Sequence, residues 1–260
     1  MKFQGKIKII SKIEINKEVF SIRVERPEAI AKVKAGQFFN LKTSDYGSPM
    51  LRRPISVSGY DEKSIEFTIK ILGEGTQQLS QFKVGDCIDV MGPLGNGYEC
   101  SAETNVLVIG GGIGIAPIKG LIEQLRFQNP NIKVTTILGF KEEPYLEDTF
   151  KQLSDLLYIV SEEDDRYERG FVTAPLERVL DKQYQMAYAC GPTPMLKAIT
   201  SLFNALEVPV QLLMEEKMAC GIGACLVCTC KIKEGDFGYK HQRMCKDGPM
   251  FYGSEVIFDA

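Results

Sequence analysis

Histidine is almost absent: the chain has one, His241, among 260 residues. That scarcity points away from histidine-based acid–base catalysis and excludes a Rieske-type centre, which takes two histidines. No apolar run approaches the length that spans a bilayer. The N-terminal MKFQGKIKIISKIEINKEVF alternates polar and apolar residues and lacks the continuous apolar core of a signal peptide. There is no basic block, and the formal net charge is −3, so nucleic acid and anionic membrane are poor partners. A soluble cytoplasmic protein is expected, with its eight cysteines reduced or metal-bound rather than disulfide-paired.

What the chain does have is a dense cysteine stretch. Four of the eight, Cys220, Cys225, Cys228 and Cys245, fall as C-x4-C-x2-C-x16-C. The first three match the plant-type spacing for a [2Fe–2S] cluster, in which four thiolates hold two irons. Gly221 and Gly223 let the backbone curl between Cys220 and Cys225, and such a curl aims peptide N–H groups at sulfur. The rival uses are a four-cysteine zinc site and a disulfide pair. Zinc sites usually take two separated C-x2-C knuckles, and only Cys225 and Cys228 form one. Cys230 is left over once four thiolates are assigned, Cys87 and Cys100 read as structural, and His241 falls in a polar loop over 235–243.

The length allows two well-buried domains with a small appendage. Short alternating segments at 6–15, 19–24, 37–42, 55–58, 65–71 and 87–91 are separated by turn clusters at 35–36, 46–49 and 92–97. Period-two patterning at this spacing predicts an antiparallel barrel or sandwich, with one helix over 75–82. Within it, Arg53-Pro54-Ile55-Ser56 offers an arginine fork for a pyrophosphate and a serine for a polar ring edge. Gly75-Thr76 opens the short helix, where free N–H groups meet an anion; both are also common solvated turns and caps.

From Ser101 the pattern changes. Nearly continuous apolar runs at 105–109, 134–138, 157–160 and 186–189 alternate with helical patterns running from after Pro117 to about 128 and around 147–153, 173–181 and 194–206. That predicts a parallel sheet with crossover helices, which binds nucleotides at the carboxyl ends of its strands. Two loops follow strands and open helices: Gly110-Gly111-Gly112-Ile113-Gly114-Ile115-Ala116-Pro117, and Cys190-Gly191-Pro192. Cys190 alone also reads as a buried small hydrophobe. After 160 comes Ser161-Glu162-Glu163-Asp164-Asp165, a run that is also common in solvated loops. Beside the adenine ribose its carboxylates would repel a 2′-phosphate, with Arg166 and Arg169 nearby acting against this, and NADH is expected over NADPH. Residues 214–260 are too few to fold readily alone, and a metal centre would staple them.

In this order the motifs resemble the ferredoxin–NADP reductase superfamily. The cysteine stretch, ending in Met244-Cys245-Lys246-Asp247-Gly248-Pro249-Met250-Phe251, resembles one family within it: the electron-transfer subunits of B-type dihydroorotate dehydrogenases. The resemblance implies an FAD-binding β-barrel (1–99), a Rossmann-like NAD-binding α/β domain (100–213) and a small [2Fe–2S] domain (214–260). It implies FAD contacts from Arg53, Pro54, Ile55, Ser56, Gly75 and Thr76, with Thr68, Ile69 and Lys70 beside the flavin. It also implies NAD contacts from Gly110, Gly111, Gly112, Gly114, Pro117, Gly191 and Pro192, with Cys190 shaping the nicotinamide site. The implied partner is an FMN-containing catalytic subunit that oxidises dihydroorotate in pyrimidine synthesis, two copies of each subunit forming a heterotetramer. A docking face is expected around residues 221–224 and 246–250. Small subunits of NADH-dependent ferredoxin oxidoreductases, sulfide dehydrogenases and some hydrogenases share this order, and a non-catalytic nucleotide-binding zinc module is the rival from another class.

Overall fold

The computed structural model describes residues 2–30, 32–44, 48–180, 183–235 and 238–258. Residues 46–47 of the turn expected at 46–49, and the end of the helix expected to reach Asp181, lie outside the described residues.

The first part is an antiparallel half-barrel of seven strands. These are β1 (Phe3–Glu14), β2 (Val19–Glu25), β3 (Phe38–Leu41), β4 (Arg53–Ser56), β5 (Gly59–Tyr60), β6 (Ser64–Lys70) and β7 (Cys87–Leu94), with helix α1 (Glu74–Leu79) between β6 and β7. Their order across the sheet is β4-β3-β7-β1-β2-β6-β5. β1 pairs with β7 through its first half and with β2 through its second, with a register shift between Ile9 and Ser11. One extra residue there bends the strand, so a single long strand serves both walls. Ile7, Ile9, Ile22, Val24, Phe39, Phe67 and Ile88 fill the interior. Past β4, Ser58 N–H donates to Glu66 O at 2.9 Å, which brings the two ends of the sheet together.

The second part is the expected parallel sheet. Strands β8 (Asn105–Gly111), β9 (Lys133–Phe140), β10 (Leu156–Ser161), β11 (Glu168–Arg169), β12 (Met186–Cys190) and β13 (Val210–Leu213) alternate with α2 (Ile115–Gln128), α3 (Glu147–Leu153), α4 (Leu176–Val179) and α5 (Thr193–Ala205). Leu107 and Ile109 face Leu196, Ile199 and Phe203 of α5, while Val106 and Val108 face Ile118, Leu121 and Phe150 of α2 and α3. Both faces are covered, which is why β8 reads as an unbroken apolar run. Of the helix expected over 173–181, the described residues are α-helical at Leu176–Val179.

The tail supplies β14 (Thr229–Glu234), β15 (Gly238–Arg243), β16 (Met250–Tyr252) and β17 (Val256–Ile257). β16 pairs antiparallel with β13 and becomes the edge of the nucleotide sheet. The other three form a small sheet in the order β15-β14-β17. His241 therefore sits in a strand and not in the expected loop, its ring against Tyr239 edge to face at 5.5 Å. Among the described residues no helix is long and apolar enough to cross a membrane.

Candidate functional site

All three parts of the chain wall one cleft of about 650 Å³. The half-barrel contributes Arg53, Pro54, Ile55 and Ser56 from β4, Thr68, Ile69 and Lys70 from β6, and Gly75 and Thr76 from α1. Opposite them stand Gly111, Gly112, Gly114, Pro117, Cys190, Gly191 and Pro192, at the carboxyl ends of β8 and β12. Gly110 is not on the wall; a Cβ there would meet Ile115 Cγ2 at 3.0 Å, so it serves the tight approach of α2 to β8. Phe38, Leu213, Met214, Glu215, Glu216, Met218 and Pro249 also line the cleft. No sequence motif places these seven at the cleft, which they border through tertiary packing; Pro249 reads in the sequence only as part of the cysteine motif and docking face.

Arg53 and Gly75, 22 positions apart in sequence, are brought into contact. A Cβ on Gly75 would stand 2.3 Å from Arg53 Nε and 2.8 Å from its Cζ. The guanidinium is anchored by Nη1 on Leu51 O at 2.7 Å, which leaves the rest of its fork beside the first turn of α1. Thr76 Oγ1 accepts N–H bonds from Leu72 at 2.9 Å and Gly73 at 3.3 Å. It fastens the glycine turn that leads into α1, satisfying donors a helix start leaves open.

Across the cleft the two glycine loops lock together. A Cβ on Gly114 would lie 2.5 Å from Cys190 O, and one on Gly191 would lie 2.4 Å from Met195 Cε. Gly112 takes φ +54°, a left-handed conformation that glycine adopts without Cβ strain, and Tyr145 Oη holds it by donating to Gly112 O at 3.2 Å. Cys190 is buried, and that burial pushes its thiol well above the ordinary range. It is a neutral thiol at physiological pH, which suits a wall and not a nucleophile.

The acidic run follows β10 on the same edge of the sheet. Ser161 Oγ accepts from Asp164 N at 3.1 Å and donates to Glu142 O at 2.7 Å, folding the run back on itself. Arg166 is held by Asp164 at 2.6 Å and Glu143 at 2.9 Å, and Arg169 lies 3.4 Å from Asp165. The hydrogen bond from Arg166 keeps the Asp164 carboxyl below its ordinary range. Both nearby arginines thus have carboxylate partners.

The cysteine loops lie beyond the cleft. Gly221 and Gly223 take φ +69° and +84°, so the chain curls and N–H groups of Ile222, Ala224 and Cys225 approach Cys220 Sγ at 3.5, 3.3 and 3.4 Å. Burial pushes the Cys220 thiol up, but the N–H donors and the Cys225 side chain outweigh it and bring the thiol down to about 6. Cys245 goes the other way: burial and the Cys228 side chain push it up to about 12. The Cys225 side chain acts on the Cys220 thiol, and the Cys228 side chain acts on that of Cys245. Among the described residues no three His, Cys, Asp or Glu side chains gather round one point as a single metal ion needs. Cys230 lies in β14 with Sγ on Gln242 O at 3.6 Å.

Two residues outside the cysteine pattern assemble this region. Arg243 clasps Asp247 through Nε at 2.8 Å and Nη2 at 3.1 Å, and donates from Nη1 to Gly223 O at 3.2 Å. It ties the first cysteine loop to the turn that carries Cys245. Asn96, from the barrel, holds the same turn: its N–H donates to Gly248 O at 2.7 Å, its Nδ2 to Asp247 O at 3.0 Å, and Oδ1 accepts from Met250 N at 3.1 Å. The docking face expected at 246–250 is corrected accordingly. Only Lys246 there is exposed, because Gly248, Pro249 and Met250 pack inward. In the 221–224 half of that expectation and just beyond it, Ile222, Leu226 and Val227 are exposed at 45%, 62% and 53%, neighbours in sequence of the exposed Cys225.

Three family descriptions match the chain in the order the structure shows. They are an oxidoreductase FAD-binding domain at 5–98, an oxidoreductase NAD-binding domain at 108–201, and the iron–sulfur cluster binding domain of dihydroorotate dehydrogenase B at 215–257. The electron transfer subunit of dihydroorotate dehydrogenase B (NAD+) from Caldanaerobacter subterraneus subsp. tengcongensis is 38% identical over 258 residues, covering 99% of this chain and 100% of that one. Its counterpart from Clostridium perfringens is 37% identical over 98% of both chains. Among solved structures, a chain from work on an NADH-dependent reduced ferredoxin–NADP oxidoreductase superposes with a TM-score of 0.84 at 30% identity, over 97% of this chain and 90% of that one. A ferredoxin reductase of carbazole 1,9a-dioxygenase, at 19% identity and TM-score 0.69 over 81% of this chain and 69% of that one, shares the fold. With FAD-binding, NAD-binding and iron–sulfur domains in one ferredoxin reductase-like fold, the chain is an NADH-linked oxidoreductase subunit and belongs to the family of dihydroorotate dehydrogenase B electron transfer subunits.

Proposed function

We propose that this chain passes electrons from a separate FMN-containing dihydroorotate dehydrogenase subunit to NAD+, by way of a [2Fe–2S] cluster and FAD, in cytoplasmic pyrimidine synthesis. Two copies of each subunit make up the working complex. One observation carries the reading: β4, β6 and α1, the two glycine loops, and residues 213–216 and 218 that lead into the cysteines all line a single cleft. When bound there, FAD exchanges hydride with NAD(H) and single electrons with the cluster, so it belongs between the two.

The residues have distinct tasks. Arg53 forks onto the FAD pyrophosphate beside Gly75 and Thr76, Ser56 bonds the ring edge, and Pro54, Ile55, Thr68, Ile69 and Lys70 wall the flavin. Gly111, Gly112, Gly114, Pro117, Gly191 and Pro192 admit the dinucleotide backbone, Gly110 lets α2 approach, and Cys190 shapes the nicotinamide pocket without taking or giving a proton. The carboxylate partners of Arg166 and Arg169 support NADH over NADPH. Cys220, Cys225, Cys228 and Cys245 hold the cluster. The C-x4-C-x2-C spacing suits a [2Fe–2S] cluster, where a zinc site usually takes two separated C-x2-C knuckles, and the iron–sulfur domain match at 215–257 supports that reading. The boundaries 1–99, 100–213 and 214–260 for the three units follow from the same reading, and the matches at 5–98, 108–201 and 215–257 support them.

The test is reconstitution. This chain mixed with its FMN subunit is expected to form NADH from dihydroorotate and NAD+, and neither subunit alone should do so. Dihydroorotate oxidation by this chain alone, or none by the mixture, would overturn the proposal. The likeness at TM-score 0.84 favours one alternative, a small FAD/iron–sulfur subunit of an NADH-dependent ferredoxin oxidoreductase. Co-purification with a large flavoprotein in place of an FMN-barrel subunit would select it.

A further inference from the structure

Helix α2 joins the two halves of the cleft along a polar seam. Its first turns, Ala116 and Pro117, stand on the cleft wall. Half a turn further on, Lys119 is buried at 8% exposure and reaches into the half-barrel. Its Nζ lies 3.3 Å from Ser58 O, 3.4 Å from Glu66 Oε2 and 2.9 Å from Glu123 Oε1 of its own helix. Gly120 permits this approach, since a Cβ there would stand 3.1 Å from the Ser58 carbonyl carbon. One turn later Gln124 Oε1 accepts from Ala35 N at 2.9 Å and Tyr60 Oη at 2.7 Å. Positions 119, 120, 123 and 124 share one face of the helix, and that face is committed to the barrel.

The barrel side of the seam leads straight back to the cleft. Ser58 Oγ accepts from Thr68 Oγ1 at 3.0 Å, and Thr68 is on the cleft wall. Glu66, two residues before Thr68 in β6, is steadied by Arg23 Nη2 at 2.8 Å. Lys119 is therefore fixed at one end to the helix that begins at the glycine loop and at the other to the strand bearing Thr68, Ile69 and Lys70. A buried charge with three oxygen partners has one low-energy position, unlike an apolar contact that slides.

We infer that Lys119 is a positioning residue: its bonds to Ser58 and Glu66 set how closely the nicotinamide side of the cleft approaches the flavin side. This role rests on FAD and NAD(H) occupying those two sides. Hydride exchange depends steeply on donor–acceptor placement, and a displacement of about 1 Å costs on the order of a hundredfold in rate.

Lys119→Met, purified as holoprotein and mixed anaerobically with NADH, tests it. The limiting rate of flavin bleaching at saturating NADH should fall about tenfold to a hundredfold, and the long-wavelength charge-transfer absorbance of reduced flavin with NAD+ should weaken. FAD content, bleaching by dithionite and the NADH concentration for half-maximal rate should stay near wild type, and Lys119→Arg should recover part of the rate. Should Lys119→Met fail to fold, Glu66→Gln carries the same measurements in the same direction. A wild-type limiting rate with unchanged charge-transfer absorbance overturns the role, as does a slowing traced wholly to weaker NADH binding or lost FAD. Absence of FAD from the wild-type chain would instead overturn the reading of the cleft itself.

Discussion

The guanidinium of Arg53 lies directly on Gly75, leaving no room for a side chain at position 75: a Cβ there would come within 2.3 Å of Nε. The arginine fork and the glycine turn are one device. Arg53→Ala is expected to weaken FAD retention by about tenfold to a hundredfold, the loss of a charge-assisted pair worth about 1.5–3 kcal/mol. Gly75→Val should act in the same direction by displacing the guanidinium. Flavin-to-protein ratios after gel filtration check both; full retention in Arg53→Ala would remove the residue from the flavin site.

Cys225→Ser should bleach the iron–sulfur absorbance and abolish transfer to the partner subunit, while NADH still bleaches FAD. Cys230→Ser should leave the cluster spectrum intact, since its sulfur is turned to Gln242 O within the hairpin. A Cys225→Ser protein that still couples dihydroorotate to NAD+ would contradict the proposed route.

Thiol reactivity should follow burial. Burial pushes the Cys100 thiol up to about 11, so its reactive thiolate is scarce at neutral pH and grows about tenfold per pH unit below that value. In the holoprotein, alkylation followed by mass spectrometry is expected to label the exposed Cys87 first. Cys100 should join only toward alkaline pH, with Cys190 protected throughout. Early labelling of Cys190 at pH 7 would show that the cleft wall is less closed than described.

Much of this architecture is legible in the chain because the signals are local. β8 is buried on both faces and so reads as apolar throughout, and the curl at Gly221 and Gly223 follows from spacing. Other parts are hidden because their causes are distant. Gln211 is fully buried in β13, and its amide exchanges bonds with the Glu99 backbone at 2.9 and 2.7 Å, so a core strand carries a polar letter. Lys119 and Gln124 look like a solvated helix face until the barrel covers them. β15 leaves its first four residues exposed and the last two half-buried, so no period-two pattern announces it. Asn96 gives no hint that it clamps residues 247–250, a contact spanning more than 150 positions.

The adenosine end gives a further expectation. With Arg166 held by Asp164 and Glu143, kcat/KM should favour NADH over NADPH. The double change Asp164→Asn, Glu143→Gln releases the guanidinium and should narrow that preference. Steady-state kinetics with both nucleotides decide it, and a native preference for NADPH would refute the assignment.

On the proposed route, FAD in the shared cleft is the obligatory link between NAD(H) and the cysteine-bound cluster. Flavin-stripped protein with its cluster intact, mixed anaerobically with NADH and followed at the cluster's visible bands and by electron paramagnetic resonance, tests this most directly. The cluster should remain oxidised with NADH alone, accept electrons from dithionite, and become reducible by NADH once FAD is restored. Reduction of the cluster by NADH without flavin, at the rate of the complete protein, would show that FAD is not the link.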